Sequence, residues 1–200
     1  MRIAVMGSGR VGGFFGGLLA RAGEDVAFIA RGAHLDALRA RGLTVQSRVI
    51  GDFARAVSAT DDPATIGPVD LVLLCVKTYL ASTRRRRDPP SHPRARHDGP
   101  ADQNGIDASP RLVQTLGPAS VLRRRHRRHR DPRVAGAHRS PGAQRKIVFG
   151  EYPSGVSRVP KRVRDALQRA GVTTELHPGI RVPLWEKLVV LAASGGAMWP

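Results

Sequence analysis

The 200-residue sequence contains one cysteine, Cys75, and few aromatic residues, which make up 4% of the chain. A disulfide within the chain is therefore excluded, and with it the small disulfide-built folds. An apolar run of about 18 residues is also missing, so we expect no transmembrane helix and no membrane partner. A glycine-rich turn stands where a signal peptide would need its cleavage site, which predicts a cytoplasmic protein. The length fits one large domain, or one domain with part of another.

Acidic residues are scarce, with 16 Asp and Glu against 33 Lys and Arg, and the formal net charge is +17. Residues 82–101 hold six arginines and two aspartates, and residues 122–145 hold nine arginines and one aspartate, so these stretches carry +12 of that charge. We call residues 82–102 and 122–145 the arginine-rich tracts. Neither has an apolar period of 2 or 3.6, and segments of this kind cannot bury enough apolar surface to become ordered.

Three interpretations of the arginine-rich tracts are open. They are disordered basic arms that contact phosphates, solvated loops without a role, or segments read out of frame, because the wrong frame of GC-rich coding DNA yields mostly Arg, Pro, Ala, His and Gly. Neither tract contains an aromatic residue. A groove for single-stranded nucleic acid interleaves stacking aromatics, so nucleic acid is not the favoured partner. The nearby histidines lack a Cys or acidic cluster, and we assign no metal site.

The start of the chain has the pattern strand, glycine turn, helix, strand. Residues 2–6 form a short apolar run, apolar residues then recur at helical spacing up to Gly23, and Val26–Ala30 is a second apolar run. This order within about 30 residues is typical of the first unit of a doubly wound, Rossmann-like α/β fold. The free amides of such a turn bind a dinucleotide pyrophosphate, although a purely structural turn is the alternative. The candidate cofactor-binding residues here are Gly7, Ser8, Gly9, Arg10, Val11 and Gly12.

The end of the second strand decides between the two dinucleotides. An NAD site places Asp or Glu there, but this chain has Arg31, 19 residues after Gly12. A guanidinium suits a 2′-phosphate, so we predict NADP(H), with an ordinary surface arginine as the alternative. Lys77 follows the apolar strand Val69–Val76. Ligands bind at the carboxyl ends of such strands, so Lys77 is a cofactor-site candidate, or else a lysine that snorkels at a strand end.

The remaining pattern completes an alternating α/β order outside the arginine-rich tracts. The predicted elements are a helix over Ala33–Arg41, two extended pieces between Leu43 and Val57 hinged near Gly51, a helix start at Asp61–Pro63, a helix through Arg111 to Leu116, a strand over Lys146–Gly150, a helix over Val156–Ala170, a strand over Val172–Leu176, and an apolar helix from Pro183.

Six motifs together resemble the ketopantoate reductase (2-dehydropantoate 2-reductase) family in order and spacing. They are Gly7–Gly13, Ile29–Arg31, Leu74–Thr78, Gln103–Asp107, Ile147–Glu151 and Leu184–Leu188. The first motif alone is generic, but the set is specific and covers the chain except for the arginine-rich tracts. The resemblance implies an NADPH-binding domain over residues 1–178, and residues 179–200 as the first helix of a truncated all-helical C-terminal domain.

The resemblance also implies an activity, the NADPH-dependent reduction of 2-dehydropantoate to pantoate in pantothenate and coenzyme A biosynthesis. In this family the lysine at the position of Lys187 is the general acid. An ammonium beside a ketone stabilises the negative charge that hydride transfer builds on oxygen and then donates a proton. Asn104 corresponds to a residue that lines the cofactor and substrate site, and Lys77 to a cofactor-site lysine. Whether the protein forms a homo-oligomer stays open.

The departures from the family concern the substrate half of the site. Leu191 stands where the family usually has a substrate-binding asparagine, and its further substrate-binding residues would lie beyond Pro200. Family-like sequence disappears in the arginine-rich tracts and returns at about the expected spacing, which favours a reading frame lost and then restored. We therefore expect a damaged or truncated reductase with little activity. The alternatives are an NADP-binding relic without catalysis and an arginine-rich nucleic-acid-binding protein.

Overall fold

The computed structural model describes residues 1–47, 50–76, 108–116, 121–126 and 146–186. They form both strands and helices, as the sequence pattern predicts. The elements are β1 (Arg2–Met6), α1 (Arg10–Arg21), β2 (Asp25–Ile29), α2 (Gly32–Arg41), β3 (Leu43–Val45), β4 (Phe53–Arg55), β5 (Ser58–Thr60), a 3₁₀ helix (Pro63–Ile66), β6 (Leu71–Leu74), α3 (Ala108–Leu116), β7 (Leu122–His126), β8 (Lys146–Glu151), α4 (Arg158–Arg169) and β9 (Thr173–Leu176). Residues 181–186 are also helical.

A four-stranded parallel sheet forms the first part of the fold, in the order β5-β2-β1-β6. Ile3 of β1 lies opposite Val26 of β2 on one side and Leu71 of β6 on the other. Parallel neighbours need crossover connections, and α1 supplies the one between β1 and β2. The predicted Rossmann-like α/β fold is confirmed, since the carboxyl ends of β1, β2 and β6 meet at one edge of this sheet.

Both faces of the parallel sheet are covered by apolar side chains. On β1, Ile3 and Val5 enter the larger core cluster, whereas Ala4 between them enters a smaller cluster on the opposite face. On β6, Leu71 belongs to the larger cluster and Val72 packs against the smaller one. This alternation follows from the two-residue period of a strand. Strand β6, which lies within the apolar run Val69–Val76, is therefore covered on both faces, while Lys77 and the residues after it lie outside the described ranges.

A second sheet extends the same core. Its order is β7-β8-β9, with β8 parallel to β9 and antiparallel to β7. The amphipathic helix α4 buries Val163, Ala166 and Leu167. These residues share the larger cluster with Phe28 of β2 and Phe149 of β8, both of which are fully buried. Burying such a side chain contributes roughly 1.5–3 kcal/mol to stability. Because the cluster contains residues of both units, it joins the first α/β unit to the last one.

The second arginine-rich tract begins with a strand, and the prediction that this tract has no regular structure is wrong for residues 122–126. Strand β7 pairs along its whole length with β8, from Leu122 opposite Glu151 to His126 opposite Ile147. Backbone groups make a strand ladder, so the pairing does not require apolar side chains at every position. Val121 and Leu122 are 2% and 1% exposed and anchor the start of the strand in the core.

Other predicted elements are confirmed with small changes of boundary. The two extended pieces around Gly51 form the antiparallel pair β3 and β4. The helix start at Asp61–Pro63 is a single 3₁₀ turn, capped by Asp62, whose carboxylate accepts a hydrogen bond from the Ala64 amide at 3.0 Å. Residues 82–102 and 127–145 lie outside the described ranges. The division into domains at residues 178 and 179 stays a prediction.

Candidate functional site

The turn between β1 and α1 is pressed against the end of β6. Gly7 has a φ of +97°, which favours glycine, and a Cβ at this position would lie 2.8 Å from Val76 Cγ1. Its amide nitrogen lies 3.4 Å from the Ile29 carbonyl oxygen, the last residue of β2. The turn therefore sits where the carboxyl ends of β1, β2 and β6 converge, which is the ligand-binding edge of an open α/β sheet.

Close packing explains the last glycine of the predicted motif. A Cβ on Gly12 would lie 2.0 Å from the Gly7 carbonyl oxygen and 3.1 Å from Cys75 Cβ. Real Cβ atoms do not come as close as 2.0 Å to an oxygen, so only glycine lets the first turn of α1 lie this close to the turn after β1. This position serves helix–strand packing, as expected of the third glycine of a dinucleotide-binding turn.

Gly9 differs from both neighbours because the space beside it is open. It is exposed, and a Cβ placed on it would meet no atom within 4 Å. Gly9 is also the N-cap of α1, with no side-chain cap, and the first turn contains no acidic residue. The first amides of a helix have no intrahelical acceptor, and the helix dipole adds positive potential there. The turn thus offers an uncapped, open anion site at the N-terminus of a helix of 12 residues.

The side chains of the predicted turn divide between the core and solvent. Ser8 is 6% exposed. Val11 is half-buried and packs against the larger core cluster, whereas Arg10 is exposed. Of the side chains in this turn, that of Arg10 is therefore the one available to an anionic ligand from solvent, while Val11 holds α1 on the sheet.

Arg31 lies at the carboxyl end of β2, on the same sheet edge as the glycine turn. It is exposed and forms the N-cap of α2, whose first turn also lacks acidic residues. The preceding residue, Ala30, is tied to β5 by a hydrogen bond from its amide to the Thr60 carbonyl at 3.0 Å. The backbone beneath Arg31 is therefore fixed by the sheet, while the guanidinium is open to a ligand.

Two contacts at this edge were not predicted from the sequence. His34, in the first turn of α2, places its Nε2 3.1 Å from the Ser8 carbonyl oxygen. A Cβ on Gly13 would lie 3.1 Å from the same oxygen, so this glycine keeps room for it. An exposed histidine on a helix carries no signal of such a contact. The sequence shows glycine at both positions 12 and 13, but it does not show that Gly13 lies against the Ser8 carbonyl group.

The opposite edge of the sheet carries a buried ion pair. Glu24, which precedes β2, contacts the N-terminal ammonium of Met1, and both side chains are nearly buried. Arg169 at the end of α4 donates to the other Glu24 carboxylate oxygen at 2.7 Å. Burial acts to raise the pKa of Glu24, but the hydrogen bonds and charges of Met1 and Arg169 outweigh it and lower that pKa. This group stabilises the fold far from the glycine turn.

The family model of ketopantoate reductase PanE/ApbA matches residues 3–124. This range includes the glycine turn, Arg31, strands β2 to β6 and all of β1 except Arg2. The chain belongs to the ketopantoate reductase family.

Named relatives in this family align along almost the whole chain. The 2-dehydropantoate 2-reductases of Pyrococcus horikoshii and Pyrococcus abyssi are 29% and 30% identical to it, and each alignment covers 96% of this chain and 62% of the relative. The crystal structure of 2-dehydropantoate 2-reductase from Geobacter metallireducens GS-15 matches with a TM-score of 0.79 and 29% identity, over 94% of this chain and 62% of that one. The chain therefore spans less than two thirds of the length of these relatives.

Three residues that the family resemblance assigns to the site lie outside the described ranges. They are Lys77, Asn104 and Lys187. Lys77 directly follows Val76, which is 7% exposed and lies against Gly7. Lys187 directly follows Glu186, the last of the described helical residues.

Among the residues that the structure describes, no three His, Cys, Asp or Glu side chains lie together in a group suited to a metal ion. No helix there has both the length and the apolar character to cross a membrane.

Proposed function

We propose that the chain binds NADPH across the carboxyl edge of its parallel sheet. The observation that carries this proposal is the open, uncapped N-terminus of α1 at Gly9, on the same sheet edge as Arg31, which follows β2 and caps α2. The pyrophosphate would lie on the first amides of α1, and the adenosine ribose would extend toward the end of β2. Family membership supports this assignment, because a reductase of this family would need a dinucleotide site and such a site lies at this edge of the sheet.

The preference for the phosphorylated cofactor rests on Arg31. An NAD site would present a carboxylate to the ribose hydroxyls at this place, and the first turn of α2 has none. A guanidinium pairs with a phosphate through two parallel hydrogen bonds and stays charged at any physiological pH. Because the Arg31 side chain is exposed, it is free to adopt that geometry.

We further propose that the whole protein reduces 2-dehydropantoate to pantoate in the cytoplasm. The reduced nicotinamide supplies a hydride when bound. Lys187 then provides an ammonium that stabilises the charge on the ketone oxygen and donates a proton to it. Lys77 and Asn104 are proposed to contact the cofactor because of their positions in the family motifs. For Lys77 the proposal has further support, since the preceding residue, Val76, lies against Gly7. The relatives named as 2-dehydropantoate 2-reductases support this substrate.

A polypeptide of these 200 residues is expected to bind NADPH with little turnover. The aligned part covers 62% of the Pyrococcus relatives. The family resemblance implies further substrate-binding residues in a helical domain. Neither alternative, an NADP-binding relic or an arginine-rich nucleic-acid-binding protein, is favoured by these relatives.

Two assays on the 200-residue chain test the proposal. Fluorescence titration with NADPH should give saturable binding, and NADPH oxidation with 2-dehydropantoate should be slow. Absence of NADPH binding would contradict the proposed site. Turnover at a rate ordinary for enzymes, about 1 per second or faster, would contradict the expectation that the substrate half of the site is incomplete. Loss of any residual turnover in Lys187→Ala, with NADPH binding retained, would support the proposed general acid.

A further inference from the structure

The carbonyl group of Ser8 is held by a residue from another element. His34 of α2 places Nε2 3.1 Å from this oxygen, although the two residues are 26 positions apart in the chain. A carbonyl oxygen has no hydrogen to donate, so Nε2 must carry the proton and act as donor. The contact connects the glycine turn to the helix that Arg31 begins.

The hydrogen bond controls the peptide unit between Ser8 and Gly9. A trans peptide is planar, so its carbonyl and its N–H point in opposite directions. A Ser8 carbonyl held toward His34 therefore turns the Gly9 N–H away from α2. Gly13 leaves this carbonyl the room it needs, since a Cβ there would lie 3.1 Å from the oxygen. The orientation of this peptide unit is thus fixed by His34, a residue outside the turn.

We propose that His34 is a positioning residue of the dinucleotide site. Its Nε2–H holds the Ser8 carbonyl so that the Gly9 amide faces the pyrophosphate, and it keeps the pyrophosphate turn at a fixed distance from Arg31. The inference rests on the proposed NADPH binding. His34 touches the protein backbone in this role and not the cofactor, so its loss weakens the binding of every dinucleotide that uses the turn.

Two substitutions separate the hydrogen bond from the bulk of the ring. His34→Gln keeps an N–H donor at a similar reach, whereas His34→Met keeps a similar length without a donor. Ala40→Ser, at an exposed position of the same helix, is the matched control. Since His34 is exposed, all three variants should melt within about 2 °C of the unsubstituted chain.

Titrations with NADPH and with NADH provide the readout. We expect His34→Met to weaken both by about threefold to tenfold, the value of one hydrogen bond, and His34→Gln to stay within about twofold of the unsubstituted chain. The ratio of the two affinities should not change. In the ligand-free chain, the ¹⁵N amide resonance of Gly9 should shift in His34→Met and return in His34→Gln.

Three results would overturn the inference while leaving the proposed cofactor site intact. They are unchanged binding in His34→Met, equal weakening in the glutamine and methionine variants, and a loss confined to NADPH, which would indicate direct contact with the 2′-phosphate. If the unsubstituted chain binds neither NADPH nor NADH, the proposed function fails and the inference fails with it.

Discussion

The first and last glycines of the turn, Gly7 and Gly12, are in backbone contact. A Cβ on Gly12 would lie 2.0 Å from the Gly7 carbonyl oxygen. We therefore expect Gly12→Ala to force α1 away from β1 and to lower the free energy of unfolding by about 2 kcal/mol. Thermal unfolding should show a Tm decrease of roughly 4–8 °C. An unchanged Tm would mean that the turn is looser than this contact implies.

Gly9→Ala should have the opposite profile. A Cβ at Gly9 meets no atom within 4 Å, and the backbone φ of −68° suits alanine. The Tm should therefore stay within about 2 °C of the unsubstituted chain. The added methyl group would occupy the space proposed for the pyrophosphate, so NADPH affinity should fall about tenfold or more. A merely structural turn would not lose stability in Gly12→Ala and NADPH affinity in Gly9→Ala.

Arg31→Ala should change which dinucleotide is preferred. Removing charge-assisted hydrogen bonds to the 2′-phosphate should weaken NADPH by about tenfold to a hundredfold, and NADH by about twofold at most. Arg41→Ala, which removes an exposed arginine from the other end of α2, is the matched control and should leave both affinities unchanged. Equal losses for the two cofactors in Arg31→Ala would contradict a 2′-phosphate contact.

Glu24→Gln should destabilise the fold in a pH-dependent way. At pH 7 the substitution removes the charge that faces the buried Met1 ammonium, at a cost of roughly 1–3 kcal/mol. The folded pKa of Glu24 lies below its usual value of 4.5. Its contribution is therefore complete above that pH and is lost as the pH falls through the folded pKa. Urea unfolding should show the gap between the two proteins narrowing from pH 7 toward pH 3.

Asp25→Asn provides the control for this experiment. Asp25 forms an ion pair with Arg2 at 3.4 Å, but its side chain is 68% exposed. Exposed ion pairs contribute about 0–1 kcal/mol, so Asp25→Asn should change the free energy of unfolding little at pH 7 or at pH 3. A gap for Glu24→Gln that does not depend on pH would contradict the assigned charge interaction.

The sequence predicted the first α/β unit closely because its signals are local. The apolar run before Gly7 is β1 itself, and the second strand, predicted over Val26–Ala30, is Asp25–Ile29. Strand β7 was missed since backbone pairing with β8 leaves no mark on an arginine-rich side-chain pattern. The contact between His34 and Ser8 was missed because it exists only after β2 has folded beside β1.

NADPH titration of the 200-residue chain, with NADH in parallel, tests the central claim most directly. Fluorescence and calorimetry should both give one saturable site per chain, with NADH bound about tenfold more weakly or worse, as expected for a site selected by Arg31. A chain that melts cooperatively but binds neither cofactor would contradict the account. It would leave the glycine turn between β1 and α1 as a packing device alone.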